Sequence, residues 1–240
     1  MTLFDWDVPG PYRVAFSSRI GGVSEGAYES LNLGILTEDE AERVVENRRR
    51  LCAAVGVVPE QATMAWQVHG AEVVRADGRG IVRPGTVNVR CDGLWTDDPE
   101  LPVMLLTADC LSVALARLDG PPAVAALHVG WRGLLAGIIE EAATVLGEGR
   151  LAAAVGPGIG PCCYEVGDEV AQPYRERFGA DLVRGRHLDL PEAAARALAA
   201  VGCETVERVD LCTSCEETLF FSHRRDRGVT GRQGIIAAVR

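Results

Sequence analysis

Three apolar segments in the middle third of the chain constrain the fold more than any other feature of the sequence. They span residues 101–107, 111–117 and 123–127, and each has the length of a β-strand. Segments of this length that are rich in Val, Leu and Ala and bounded by polar or Gly- and Pro-containing turns are typical of buried strands. We therefore expect a β-sheet to be built around this part of the chain.

Helical patterns and further strands lie on both sides of this region. The pattern at 37–56 predicts a helix that starts with a capping box, formed by Thr37 and Glu40, and stops at Gly56. Other helices are predicted at 134–146, 168–178 and 191–200, and other strands at 13–17, 64–68, 72–75, 151–155 and 234–239. Because strands and helices are interleaved without a strict βαβ repeat, we expect an α/β or α+β fold with a mixed sheet.

The charged residues exclude several classes of function. All 24 basic residues are Arg, so the chain has no lysine for a Schiff base or a Walker A loop, and Arg or backbone amides must bind any anion. The net charge of −10 argues against nucleic-acid binding. No apolar run approaches the roughly 18 residues of a membrane span. The N-terminus lacks a secretion signal, so we expect a cytoplasmic protein without membrane or nucleic-acid partners.

Three segments place a metal-ligand type of residue at the end of a predicted strand. They contain His69, Cys110 and His128, and the ends of neighbouring strands can meet in space although they are far apart in sequence. Two imidazoles and a thiolate form a known ligand set for catalytic zinc, with the fourth position open. Two alternatives remain at this point: Cys110 is a nucleophile with a histidine base, or all three residues are ordinary core residues.

The other cysteines give weaker signals. In a chain without a secretion signal, the eight cysteines are expected to be reduced or metal-bound. Cys212 and Cys215 form a single C-x2-C pair, which we interpret as structural and near Cys203. Cys162 and Cys163 follow a loop rich in Gly and Pro and are expected to shape a pocket wall. That loop does not match a dinucleotide-binding motif.

An ordered set of short motifs extends from Phe16 to about Gln233. The motifs are Phe16-x2-Arg19-x-Gly21-Gly22-Val23-Ser24, Ser30-Leu31-Asn32-Leu33-Gly34, Asn47-Arg48, Gln67-Val68-His69-Gly70, Asp92-Gly93-Leu94, Thr107-Ala108-Asp109-Cys110, His128-Val129-Gly130-Trp131-Arg132-Gly133, Gly156-Pro157-x-Ile159-Gly160-x2-Cys163-Tyr164-Glu165-Val166-Gly167 and Phe221-Ser222-x-Arg224-Arg225-Asp226. In combination they resemble the bacterial laccase-domain family, first called multicopper polyphenol oxidoreductase and later purine nucleoside phosphorylase. Gly93 and Val129 stand where that family usually has Ala.

The resemblance implies a fold and a set of site residues. The fold is of the α+β class, a single domain over residues 1–240 with four layers, α/β/β/α, and mixed β-sheets. The resemblance implies that one zinc ion binds to His69, Cys110 and His128, which together with Asp109 form the catalytic group. The implied substrate-binding residues are Arg48, Gln67, Asn32, Arg19 and Arg132.

The function implied by the resemblance is that of a zinc-dependent purine nucleoside phosphorylase. Its substrates would be adenosine, inosine or methylthioadenosine together with phosphate, adenosine would also be deaminated, and the chain would act as a monomer or homodimer. Without lysine, the candidates for binding phosphate are Arg48, Arg132 and Arg225.

Other functions remain open. They are a laccase-like polyphenol oxidase with copper in place of zinc, a Cys–His or zinc hydrolase (an amidase) acting on cell-wall precursors, and a metal- or nucleotide-binding regulator. The chain's four histidines are too few for a multicopper cluster, so oxidation would require copper at the zinc site.

Overall fold

Two large β-sheets form the centre of the protein in the computed structural model, which describes residues 1–78, 80 and 89–240. The strands of the first sheet are, in spatial order, β1 (Leu3–Trp6), β2 (Tyr12–Ser17), β13 (Gln233–Val239), β6 (Val103–Thr107) and β3 (Thr63–Met64). Those of the second are β12 (Cys203–Arg208), β9 (Leu151–Val155), β7 (Leu111–Arg117), β8 (Val124–Val129), β5 (Gly93–Thr96) and β4 (Val73–Arg75). A short hairpin joins β10 (Val183–Arg184) to β11 (His187–Leu188).

Both large sheets are mixed, as predicted. In the first sheet β3 runs parallel to β6, and the other neighbouring strands are antiparallel. In the second sheet the parallel pairs are β12 with β9 and β4 with β5, and they lie at its two edges. Antiparallel pairs join the inner strands.

The two sheets pack face to face over one apolar cluster. Large side chains of the first sheet, including Phe16, Leu105 and Ile235, pack there against small ones of the second, including Ala114 and Ala126. All of these residues are buried, with at most 2% of their surface exposed. Alternating side chains of each strand point into this cluster and away from it, so each sheet also has an outer face that must be covered.

Five helices cover the outer faces in the described part of the chain: α1 (Ala41–Val55), α2 (Trp131–Ala136), α3 (Ile138–Leu146), α4 (Asp168–Phe178) and α5 (Leu190–Ala200). Leu51 and Cys52 of α1 pack against Met104 and Ile236 on the first sheet. The other four helices share an apolar cluster with the second sheet. The order of layers is therefore α/β/β/α, which confirms the predicted fold class.

Two of the predicted helices differ from the observed ones. Helix α1 begins at Ala41 rather than at Thr37, because the Thr37 hydroxyl donates to the Gly34 carbonyl at 2.7 Å instead of capping a helix. The helix ends as predicted, with Gly56 in the left-handed region at φ 75°. The helix predicted at 134–146 is divided into α2 and α3 at Gly137, whose φ is 93°.

The observed strands agree only in part with the predicted ones: β4, at an edge, begins one residue later than predicted, whereas β1 and β5 were not predicted. The bounds of β7 and β9 are as predicted, whereas the strand predicted at 64–68 is reduced to β3. Strand β12 was not predicted, because it lies at the edge of the sheet and none of its six residues is fully buried. Within the described ranges, no helix has both the length and the apolar character needed to cross a membrane.

Candidate metal centre and adjoining cavity

Two chain segments that cross from the first sheet to the second meet at one edge of the sheets. The segment between β3 and β4 carries His69, and the segment between β6 and β7 carries Cys110. His128 lies within β8, opposite Ser112 of β7. One ligand atom from each of the three side chains lies within 4.8 Å of the other two. The structure therefore brings together the three residues predicted to bind a metal, called here the His–Cys–His group.

The backbone is strained where these segments turn. His69 has φ 61° and Asp109 has φ 84°, both in the left-handed region. For a residue with a side chain, this conformation costs about 1–2 kcal/mol. Hydrogen bonds compensate for it: the Asp92 carboxylate accepts from the N–H of His69 at 2.8 Å, and the Asp109 carbonyl accepts from the N–H of Ile159 at 2.8 Å. Such strain is often found at functional sites.

Asp92 is not one of the three ligand residues, but it orients the His–Cys–His group. Its carboxylate is fully buried, and it accepts a hydrogen bond from Nδ1 of His128 at 2.7 Å and others from the N–H groups of Val68 and Gly70. Burial opposes the ionisation of Asp92, but these hydrogen bonds lower its pKa overall. The bond at Nδ1 leaves Nε2 of His128 as the nitrogen available to a metal, an arrangement common among metal-ligating histidines.

Cys110 and His128 stabilise each other's charged forms. Burial opposes the charge on the thiolate, but the neighbouring His128 and His69 lower the pKa of Cys110 to about 6. Burial likewise opposes the charge on the imidazole, but Cys110 and Asp92 raise the pKa of His128 to about 9. Cys110 is therefore a thiolate at neutral pH, which is the form that binds metals and acts as a nucleophile.

The residues present fit a zinc ion. Two imidazole nitrogens and one thiolate supply three of the four ligands of a catalytic zinc site, and the fourth position stays open to a small molecule. The space between the ligands depends on Gly130, because a Cβ there would lie 3.0 Å from Sγ of Cys110 and 3.3 Å from Cδ2 of His69. A side chain at this position would require the thiolate or the His69 ring to shift by a few tenths of an ångström.

The His–Cys–His group forms part of the wall of a cavity of about 620 Å³. This volume lies in the range of about 300–1,000 Å³ that is typical of small-molecule sites. Much of the wall is apolar or aromatic, and these residues include Met64, Trp66, Leu106, Ile159, Tyr164 and Leu190. The ring of Trp66 is 39% exposed, so a planar ligand could pack against it.

Among the described residues, three arginines also line the cavity: Arg48, Arg224 and Arg232. Arg48 is buried on α1, donates from Nε to the Leu33 carbonyl at 2.9 Å, and has its pKa lowered by burial to about 10. The guanidinium of Arg224 lies over the ring of Tyr164, with 5.4 Å between Cζ and the ring centroid. Three cationic side chains beside an apolar wall suit a ligand that has both an anionic and a planar apolar part.

Asp109 lies on the cavity wall beside Cys110, as predicted, and its carboxylate is held from both sides. Oδ1 accepts a hydrogen bond from the Thr213 hydroxyl at 2.7 Å, and Oδ2 accepts one from the backbone N–H of Arg224 at 2.6 Å. The residue is 8% exposed and lines the cavity.

The predicted substrate-binding residues are divided by the structure into those on the cavity wall and those away from it. Arg48 and Gln67 line the cavity. The amide of Gln67 donates to the carbonyl of Leu106 at 2.6 Å and accepts from its N–H at 2.9 Å, so it fixes the wall. Asn32 is fully buried behind the wall and accepts from the N–H of Arg232 at 2.9 Å, which positions that residue.

The other predicted arginines are engaged elsewhere. Arg19 lies over the ring of Phe221 and donates to the Glu29 carbonyl, and it is not on the cavity wall. Arg132 is exposed beside Trp131, also away from the cavity. Arg225 forms an ion pair with Asp226 at 2.8 Å, so it stabilises a turn rather than contacting the cavity.

Sequence reasoning missed the roles of Asp92, Arg224 and Arg232. Asp92 was visible as the first residue of the Asp92-Gly93-Leu94 motif, but nothing local indicated that it contacts His128, 36 positions away. Arg224 stands next to Arg225, and which of the two side chains faces a cavity is decided by the turn in which the N–H of Arg225 donates to the Ser222 hydroxyl. Arg232 had no local signal, because its position depends on Asn32.

Comparison with known proteins gives matches over nearly the whole chain. Residues 13–240 match the family described as "Multi-copper polyphenol oxidoreductase laccase". Purine nucleoside phosphorylase YfiH of Escherichia coli (strain K12) is 38% identical over 235 residues, which cover 95% of this chain and 93% of that protein. Purine nucleoside phosphorylase YlmD of Geobacillus stearothermophilus is 36% identical, over 90% of this chain and 86% of that protein.

A solved structure extends the match to three dimensions. The crystal structure of YlmD from Geobacillus stearothermophilus superimposes with a TM-score of 0.89 at 34% identity. The superposition covers 96% of this chain and 92% of the YlmD chain.

Proposed function

Since the chain belongs to the multi-copper polyphenol oxidoreductase laccase family, with relatives named purine nucleoside phosphorylase, we propose that it is a zinc-dependent purine nucleoside phosphorylase. Its proposed substrates are adenosine, inosine and methylthioadenosine. The observation that carries this proposal is the position of the His–Cys–His group, which opens on a cavity lined by both apolar residues and three arginines. The apolar part of the wall suits the purine base, and the arginines suit phosphate.

Each substrate has a proposed position in the cavity. The purine would pack against Trp66 and the neighbouring apolar wall, since a planar base gains most from aromatic and aliphatic contacts. Phosphate would be bound by the guanidinium groups of Arg224 and Arg232, with the buried Arg48 on the wall of the same cavity. Arginine binds phosphate with paired N–H donors, and the absence of lysine leaves it as the cationic residue for this role.

The proposed reaction is a displacement at the anomeric carbon of the nucleoside. An oxygen of hydrogenphosphate forms a bond to C1′ while the bond between C1′ and the purine N9 breaks. The electron pair of that bond leaves with the purine, which takes up a proton, and the phosphate gives up the one it carried. Asp109, with its carboxylate held by Thr213 and Arg224, is the proposed relay for this proton.

The ligand residues contribute their own chemistry. His69, Cys110 and His128 would hold the zinc, with Asp92 keeping the Nδ1 proton of His128 in place. When bound there, zinc supplies Lewis-acid polarisation of a substrate oxygen or nitrogen atom. The same cavity supports a proposed second reaction, the deamination of adenosine by water. In that reaction Asp109 would take a proton from the water that adds to C6 and deliver it to the departing ammonia.

The alternative functions make different demands on this site. A multicopper oxidase needs many histidine ligands, whereas only two of the chain's four histidines are in the His–Cys–His group. His187 lies on β11, and His223 is an exposed residue of the cavity wall outside that group. Polyphenol oxidation would therefore rely on copper bound in place of zinc. A hydrolase would use the Cys110 thiolate as a nucleophile, and its products would form without phosphate.

The decisive experiment measures the products of adenosine and inosine with and without phosphate. We expect adenine or hypoxanthine to appear together with ribose 1-phosphate, and only when phosphate is present. Base release at the same rate without phosphate would identify a hydrolase and overturn the proposal. Oxidation of a phenol by the copper-loaded protein, with no base release by the zinc-loaded protein, would favour the oxidase.

A matched pair of arginine variants tests the proposed phosphate site. Arg224→Ala removes a cavity-lining guanidinium but keeps the backbone N–H that binds Asp109, whereas Arg132→Ala removes an exposed guanidinium away from the cavity. A charge-assisted hydrogen bond contributes about 1.5–3 kcal/mol, so KM for phosphate should rise roughly ten- to hundredfold in Arg224→Ala. The Arg132→Ala variant should keep the wild-type KM, and equal effects would place phosphate elsewhere.

A further inference from the structure

Four cysteines form a second cluster of ligand-type side chains away from the His–Cys–His group. They are Cys162, Cys163, Cys212 and Cys215, called here the four-cysteine group, and their Sγ atoms all lie within 4.8 Å of one another. Sγ of Cys215 is 3.4 Å from Sγ of Cys162 and 3.4 Å from Sγ of Cys163. None of these residues lines the cavity. Cys203, which we expected to lie near this pair, begins β12 at the opposite end from Cys212.

Two single-turn loops bring the four thiols together. In the first, the N–H groups of Cys163 and Tyr164 donate to the Gly160 carbonyl at 3.0 and 2.9 Å, which gives a helix-like turn. In a strand, adjacent side chains point to opposite sides, but in such a turn they diverge by only about 100°, so Cys162 and Cys163 can face one centre. In the second loop, Cys215 donates to the Cys212 carbonyl at 3.1 Å.

Backbone contacts hold the two loops against each other. The N–H of Thr213 donates to the Gly158 carbonyl at 3.0 Å, and Gly158 and Cys212 form a bridge between the loops. The N–H of Gly160 points at Sγ of Cys212, at 3.2 Å. A backbone N–H directed at a cysteine sulfur is the kind of outer contact that supports a metal-bound thiolate.

The distances between the sulfur atoms match those of a metal site. With Zn–S bonds of about 2.3 Å, tetrahedral geometry places the sulfurs about 3.8 Å apart. Two of the observed separations are 3.4 Å, and all four Sγ atoms lie within 4.8 Å of one another, which is close enough for them to share one such ion. No sulfur is bonded to another, since all eight cysteines are free thiols. Two pairs of cysteines about 50 positions apart also give the paired arrangement that a single C-x2-C lacks.

We propose that Cys162, Cys163, Cys212 and Cys215 bind one zinc ion in a closed tetrathiolate site with a structural role. The two loops that it joins carry residues of the cavity: Ile159 and Tyr164 line it, and Thr213 binds the carboxylate of Asp109. Four protein ligands leave no open position, so this ion holds the loops together and takes no part in the reaction. The site is independent of the function proposed for the cavity.

Metal analysis of the purified protein, after dialysis against zinc-free buffer, tests this proposal. We expect two zinc ions per chain in the wild type. Cys215→Ser should reduce the content to one, and so should His69→Ala, each by emptying a different site. Cys203→Ser is the matched control, because it removes a half-buried thiol outside both groups, and it should keep two. One zinc per chain in the wild type, with Cys215→Ser unchanged, would overturn the proposal.

Two further measurements test the proposal without the Cys215→Ser variant. Cobalt loaded into His69→Ala should show the strong sulfur-to-cobalt charge-transfer absorption of a tetrathiolate site, and a spectrum without it would contradict the proposal. Thiols counted in denaturant with chelator and without reductant should number eight per chain. A count of six or four would indicate disulfides in place of a metal, and iron instead of zinc would overturn the choice of metal.

Discussion

Gly130 and Gly70 each lie next to a histidine of the His–Cys–His group, yet a side chain would meet different surroundings at the two positions. A Cβ on Gly130 would lie 3.0 Å from Sγ of Cys110, which is closer than ordinary packing allows. A Cβ on Gly70 would lie 3.5 Å from the nearest atom, a carboxylate oxygen of Asp92, in ordinary contact. The requirement for glycine is therefore specific to one of the two positions.

A pair of alanine variants tests this difference. We expect Gly130→Ala to weaken zinc binding at the His–Cys–His group at least tenfold, because the new methyl group requires the thiolate or the His69 ring to shift. Gly70→Ala should bind zinc as the wild type does. Competition with a chelator of known affinity measures both. Equal affinities in the two variants would mean that the ligands can move enough to make room.

The charge pair of Cys110 and His128 predicts the reactivity of the metal-free protein. A thiolate forms above its pKa, and the pKa of Cys110 is lowered to about 6, against burial, by His128 and His69. Alkylation of Cys110 should therefore increase as the pH rises through about 6. Burial raises the pKa of Cys203 to about 11, so this thiol should stay unreactive until the solution is strongly alkaline.

Mass spectrometry that resolves each alkylated cysteine can follow both thiols in the same sample. Adding zinc should protect Cys110, and His128→Ala should move its alkylation midpoint to higher pH. A midpoint near the ordinary thiol value of about 8.5 in the metal-free wild type would contradict the ion pair.

At the scale of elements, helix α1 positions Arg48 against the cavity, and its end is set by Gly56. This residue has φ 75°, and nothing lies within 4 Å of a Cβ built on it, so the cost of a side chain there is purely conformational. Gly56→Ala should lower the free energy of unfolding by about 1 kcal/mol. Gly56→Asn should lose less, because Asn adopts the left-handed conformation more readily. Chemical denaturation that gave equal stabilities for both variants would refute this explanation.

The elements that could be predicted from the sequence are those whose local pattern agrees with their surroundings. Strands β7 and β9 are continuous apolar runs because they lie inside the second sheet, and helix α4 has an acidic first turn and a basic last turn. The predicted start of α1 at Thr37 was wrong, because the Thr37 hydroxyl donates to the Gly34 carbonyl instead of capping the helix. The break at Gly137 was missed because one glycine inside an apolar helical pattern is usually tolerated.

The residues of the candidate site could likewise be predicted only in part from the sequence. His69, Cys110, His128, Asp109 and Arg48 all lie on the cavity wall, as the motifs indicated. Among the arginines, however, the motifs indicated Arg19 and Arg132, whose side chains lie over aromatic rings away from the cavity. The residue type and spacing do not reveal which way a long side chain turns. That depends on partners such as Asn32, which lies 200 positions from Arg232 and holds its backbone.

At the scale of the whole molecule, the site exists because the chain passes between the sheets more than once at the same edge. The segments after β3 and after β6 each leave the first sheet and enter the second. Each segment alone is a short connection between two strands. Their meeting depends on the parallel pairing of β3 with β6, in which Thr63 lies beside Val103 and Met64 beside Met104. A local sequence pattern does not indicate which distant strands pair.

This arrangement predicts that zinc at the His–Cys–His group stabilises the whole fold. The ligands come from two crossing segments and from β8, so the unfolded chain has no such site. A ligand that binds only the folded state at a hundred times its Kd adds about 2.7 kcal/mol to the free energy of unfolding. Denaturation of wild type and His69→Ala, each with and without zinc, separates this contribution from that of the four-cysteine group, which His69→Ala leaves intact. The increment on adding zinc should be larger in the wild type, and equal increments would show that the His–Cys–His group does not bind zinc in the folded protein.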